Sequence, residues 1–157
     1  MVQKIVSGGQ AGADRAALDF AIEVGLQYGG FVPPEDGRID DRYHLVELPT
    51  TCYETRTLAN VMDSDGTVII SLAKELTGGS ALTSAFANIT GRPVIHLHDV
   101  RPLANDRQTF DQLSFLIQFI VFKEIQILNV AGPRESTEPG RVRLSRGYSN
   151  QSIRSVR

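Results

Sequence analysis

Apolar residues fall along this chain in two rhythms, short continuous runs and longer segments of helical spacing. Lys4–Ser7 reads as a buried strand that runs straight into glycines. Over Asp14–Val24, apolar residues recur at Ala17, Leu18, Ala21 and Ile22, which predicts a helix stopped by Gly25. Tyr28–Val32 is a second short strand, closed by Pro33-Pro34. Tyr53–Met62 predicts a helix, and the β-branched run Thr67–Ser71 predicts a strand covered on both faces. A helix over Ser80–Ile89, a strand over Pro93–Leu97, a helix over Thr109–Lys123 and a strand over Ile125–Val130 follow.

Strands alternating with helices predict an α/β domain with a parallel sheet and right-handed crossovers. The expected architecture is a Rossmann-like, doubly wound sheet of about five strands in the order 2-1-3-4-5, with its switch point between the first and third strands. A single domain is expected over residues 1–140. The charged stretch Glu35–Thr51 is long enough for a functional loop or lid.

Charge divides the chain. All 18 acidic residues precede position 141 and face 11 basic ones, a body charge of −7. Residues 141–157 carry five arginines and no acid, and predict a basic tail that is poorly packed or held by a partner. An acidic body argues against nucleic acid. The longest apolar stretch, Phe115–Phe122, is broken by Gln118 and too short to span a bilayer. With one cysteine, Cys52, and no signal-like N-terminus, a cytoplasmic location is expected. The helix over Thr109–Phe122 is apolar nearly all round, which predicts a homo-oligomer, a dimer or tetramer, formed through it.

Two segments carry the candidate chemistry. The first strand ends in Ser7-Gly8-Gly9-Gln10-Ala11-Gly12-Ala13-Asp14-Arg15. Glycines there let the backbone approach a ligand, the following helix start favours an anion, and Arg15 can fork onto phosphate oxygens. The spacing is neither that of a P-loop nor G-x-G-x-x-G. The third strand is followed by Thr77-Gly78-Gly79-Ser80-Ala81-Leu82-Thr83, which repeats the same physics with Ser80 and Thr83 hydroxyls. Meeting at one crevice, the two predict a site for a phosphate-bearing small molecule. Arg56 and Asn60 before the third strand, and Asn129 and Arg134 after the fifth, are the other candidate contacts. A bland account exists for each: glycine turns need no ligand, and polar groups at strand and helix ends often only cap.

Other chemistry is thinner. His96 and His98 form an H-x-H pair on one strand face, two ligands where a metal needs more. Cys52 has no cysteine partner, and Asp40-Asp41 reads as a solvated turn. No triad or H-E-x-x-H pattern supports catalysis, and no metal ligand set is expected.

Taken together, several segments resemble the family of putative molybdenum carrier proteins. They are SGGQAGADRAALD at 7–19, DRYHLVELP at 41–49, YETRTLANVMDSDGTVIIS at 53–71, TGGSALTSAFA at 77–87, GRPVIHL at 91–97 and LNVAGPRES at 128–136. The resemblance spans roughly residues 4–138. That family is Rossmann-like and related to the Lonely-Guy-type nucleoside phosphate hydrolases. The resemblance implies binding of the molybdenum cofactor, a phosphorylated pterin (molybdopterin) whose dithiolene supplies its own sulfurs to the metal. The related hydrolases place a glutamate one turn into the helix of the second glycine motif, where this chain has Ala85. That favours binding over hydrolysis. A nucleoside 5′-monophosphate hydrolase and a sensor for a nucleotide-derived ligand are the alternatives.

Overall fold

The computed structural model describes residues 1–34, 40–99 and 107–134. Strands β1 (Lys4–Val6), β2 (Gln27–Gly29), β3 (Phe31–Val32), β4 (Val46–Glu47), β5 (Gly66–Ser71), β6 (Val94–His98) and β7 (Ile127–Ala131) alternate with four helices. These are α1 (Ala13–Val24), α2 (Tyr53–Met62), α3 (Gly78–Ile89) and α4 (Arg107–Phe122). The predicted basic tail lies outside the described residues.

Five parallel strands form the main sheet in the order β2-β1-β7-β5-β6. Side chains alternate between its faces. Ile5, Val68, Ile95, Leu97, Leu128 and Val130 pack on one face with Ala21 of α1 and with Leu116, Phe119 and Ile120 of α4. Thr67, Ile69, Ser71 and Asn129 point to the other face, where α2 packs on α3 and α3 on the sheet. The α/β class, the parallel five-stranded sheet and the single doubly wound domain are as the sequence predicts.

Two details differ. The last strand was expected at the sheet edge, but β7 lies between β1 and β5. Strand order is decided by groups distant in sequence. The Asp65 carboxylate accepts the amides of Gln126 and Ile127 at 3.0 and 2.8 Å, which starts β7 beside β5. Ser7 Oγ donates to the Val130 carbonyl at 2.8 Å, which holds β7 to β1. Beyond the strand, Gly12 and Arg134 form an antiparallel bridge that ties the segment after β7 to the loop after β1.

The other difference is the predicted strand Tyr28–Val32, which is two strands in two sheets. Gly30 divides it at φ 149°, and a Cβ there would lie 2.0 Å from the Ser7 carbonyl oxygen. Only glycine fits so close an approach. β3 then pairs with β4, a short strand inside the stretch expected to be loop.

Candidate functional site

The C-terminal ends of β1, β7 and β5 open onto two adjacent depressions. The first is a small polar hollow of about 20 Å³. Its walls are Gly8, Gln10 and Asp14 from the loop after β1, Tyr53, Arg56, Thr57 and Asn60 from α2, Gly79 and Thr83 from α3, and Asn129–Gly132 from β7. The second is a cleft of about 530 Å³. It is lined by Tyr53, Ser71, Ala73, Glu75 to Ser80, Gly132, Pro133 and Arg134, without Lys74 among the lining residues. Tyr53, Gly79 and Gly132 are walls of both.

The loop after β1 is already committed. Asp14 is buried in the first turn of α1, and its carboxylate accepts the backbone amides of Gly8 and Gln10. Those donors would otherwise face an anion. Burial pushes the Asp14 carboxyl up to about 6, against the pull of Arg56, those two amides and Arg134. Arg56 is itself only 4% exposed. Its Nη1 donates to the Gly8 carbonyl at 3.3 Å, and its guanidinium lies 4.3 Å above the Tyr53 ring. The Arg56 Nε and Gln10 Nε2 atoms are buried without a hydrogen-bond partner among the described residues. Gly8 makes this closeness feasible: a Cβ there would lie 2.1 Å from Arg56 Nη1 and 2.8 Å from Asp14 Oδ2.

The start of α3 is different. Thr77 precedes it with extended backbone and makes no side-chain cap bond. The first amides of a helix have no intrahelical acceptor, and together they carry about half a positive charge. Gly78, Gly79 and Ser80 line the 530 Å³ cleft, and the Ser80 Oγ is buried without a partner among the described residues. Arg134 stands on the same cleft. Its Nε donates to Gln10 Oε1 at 2.9 Å, and its guanidinium lies 5.8 Å from the Tyr53 ring centre.

The predicted site residues therefore divide. Gly8, Gln10, Asp14, Arg56, Asn60, Gly79, Thr83 and Asn129 meet at the hollow, and Gly78, Gly79, Ser80 and Arg134 at the cleft. Gly9, Gly12 and Arg15 line neither. Arg15 Nε donates to the Gly9 carbonyl at 3.2 Å. Three residues at the hollow also have structural bonds. Asn60 closes both hydrogen bonds of Phe31, through Oδ1 at 2.8 Å and Nδ2 at 3.0 Å. Thr83 donates to the Gly79 carbonyl, and Asn129 to Thr67 Oγ1.

Sequence reasoning missed Tyr53 and Thr57. Residues 53, 56, 57 and 60 follow the i, i+3, i+4, i+7 rhythm of one helix face, and all four line the hollow. A buried helix face made of polar residues was the available signal. The His96 and His98 rings lie 5.7 Å apart. No group of three metal-ligating side chains converges among the described residues.

The family described as "Circularly permutated YpsA SLOG" matches residues 5–152. A crystal structure of a "Putative molybdenum carrier protein" from Syntrophus aciditrophicus is 45% identical and superposes with a TM-score of 0.79, covering 91% of this chain and 89% of that one. No curated protein matches. The topology agrees with the family description. Counting β7 as the first strand turns β2-β1-β7-β5-β6 into the order 3-2-1-4-5 of the dinucleotide-binding fold. A permuted chain start explains why the last strand lies mid-sheet. The chain belongs to the circularly permutated YpsA SLOG family.

Proposed function

We propose that this protein binds a phosphate-bearing small molecule, with the phosphate on the first turn of α3 and the rest of the ligand in the cleft. The start of α3, which has no side-chain cap and opens into 530 Å³ beside Arg134 and a Ser80 hydroxyl without a partner among the described residues, carries this reading. The volume falls in the range of small-molecule sites. The name of the Syntrophus structure favours molybdenum cofactor as the ligand. The residues present fit such a cargo: Gly78–Ser80 and Arg134 would hold its phosphate, and Tyr53 offers a ring beside a flat pterin. The cofactor carries its own metal-binding sulfurs, so no thiolate in the cleft is required. A carrier of this kind would work in the cytoplasm. Calorimetric titration with inorganic phosphate tests the reading. Binding that weakens at least tenfold in Arg134→Ala supports it, and absence of binding to the wild type contradicts it.

One observation favours a second reading, a nucleoside 5′-monophosphate hydrolase. The buried Asp14 carboxyl at about 6 lies in the range that suits a general acid or base. Release of adenine from adenosine monophosphate at ~1 per second or faster, lost in Asp14→Ala, would replace the carrier with the enzyme.

We also propose self-association through α4. Phe110, Leu113, Phe115, Ile117, Val121 and Phe122 are exposed along it. Phe110, Leu113, Ile117 and Val121 recur at helical spacing, so an antiparallel second copy would meet them as one apolar stripe.

A further inference from the structure

We propose that Ser71 is a nucleophile with His96 as its base, and that the 530 Å³ cleft hydrolyses small carboxylic esters through an acyl-serine intermediate. This activity goes beyond ligand carriage and does not require the phosphate reading above.

Sheet register makes the pair. β5 and β6 run parallel, with Ile69 opposite His96 and Ser71 opposite His98. Side chains two positions apart share a face, so Ser71 and His96 are diagonal neighbours across the two strands. Ser71 Oγ lies 2.5 Å from His96 Nε2, in direct hydrogen bond. The two residues are 25 apart in sequence, so no local motif displays them. Ser71 ends its strand, at the edge where parallel sheets hold their ligands. Although buried, it lines the cleft.

One proton decides the role of this pair. The Ser71 hydroxyl has two acceptors in reach, the Ala73 carbonyl at 2.7 Å and His96 Nε2. With the ring proton on Nδ1, Nε2 accepts the Ser71 proton, which is the reactive arrangement. With it on Nε2, the ring donates and Ser71 keeps its bond to Ala73. The two states differ by one proton on one ring, so the reactive one needs no change of fold.

Attack on an ester also needs donors for the carbonyl oxygen as it becomes an anion. Gly78, Gly79 and Ser80 open α3 on the same cleft, Thr77 makes no side-chain cap bond, and the first amides of a helix have no intrahelical acceptor. Ser71 Oγ bonds to the carbonyl carbon while its proton passes to His96 Nε2. The bond to the leaving oxygen then breaks, and that oxygen takes the proton from His96. Water attacks the acyl carbon next, giving one proton to His96. The acyl–oxygen bond to Ser71 breaks, the acid departs, and the proton returns to Ser71.

The test uses two probes on the full chain: p-nitrophenyl acetate, and a fluorophosphonate whose P–F bond the serine breaks to leave a stable phosphonate ester and fluoride. Mass spectrometry should place the phosphonate on Ser71. Release of p-nitrophenolate should fall at least about 100-fold in Ser71→Ala and in His96→Gln, each shown to be folded by circular dichroism. If Ser71→Ala does not fold, Ser71→Cys replaces it and should carry the acetyl group on its sulfur. No adduct on Ser71 in the wild type, or release unchanged in folded Ser71→Ala, overturns the nucleophile. Labelling at the wild-type rate in folded His96→Gln overturns the base. Inorganic phosphate in excess should slow the labelling of Ser71, because it takes the same helix start. Labelling that phosphate does not slow leaves the nucleophile standing and contradicts the phosphate position instead.

Discussion

Asp14 and Gly8 show how closely the hollow is built. A methyl group on Gly8 would meet Arg56 and Asp14 at 2.1 and 2.8 Å, well inside contact distance. Gly8→Ala should therefore cost about 1–3 kcal/mol, read as a lowered Tm, because both buried side chains would have to move. Asp14 makes a pH-dependent contribution. Its folded carboxyl titrates at about 6 against an ordinary value of 3.8, so folding disfavours the ionised form. The associated stability is fully present below 3.8 and is lost as pH rises through about 6, for a penalty of roughly 3 kcal/mol at neutral pH. Asp14→Asn removes the ionised state, so its Tm should exceed that of the wild type at pH 7.5 and lose the advantage near pH 4.5. A variant less stable than the wild type at pH 7.5 would contradict this account. The glycines and Asp14 were legible in the sequence as a ligand loop. The burial of Asp14 was not, because a helix-starting aspartate reads the same whether it faces solvent or a buried arginine.

At the level of elements, periodicity located the main strands and helices well, and α2 lies at the predicted Tyr53–Met62. What it lacked was the division at Gly30, which depends on the approach of Ser7, and the polar face of α2, which depends on what covers it. Apolar content did announce the open face of α4. Ile117 is 62% exposed there, so Ile117→Glu should leave the protomer folded, with its circular dichroism spectrum unchanged. Light scattering should show the wild type as a dimer or larger at micromolar concentration and the variant as a monomer. A wild type that is already a monomer contradicts the proposed seam.

For the whole molecule, the local pattern yields the α/β class but leaves the order of strands open. The place of β7 depends on the Asp65 carboxylate and the Ser7 hydroxyl, each acting across more than sixty residues. That insertion has a functional consequence. It places Asn129–Gly132 between the two glycine loops, so the crevice has three strand ends around it where the predicted order gave two. The loop after β1 holds an internal carboxylate, and the proposed function assigns the phosphate to the start of α3. The most direct test of this division is a titration of ¹⁵N-labelled protein with inorganic phosphate, followed by amide chemical shifts. The account predicts the largest, saturable shifts at Gly78, Gly79 and Ser80, with smaller ones at Gly8 and Gln10. Largest shifts at Gly8 and Gln10, or none at Gly78–Ser80, would contradict it.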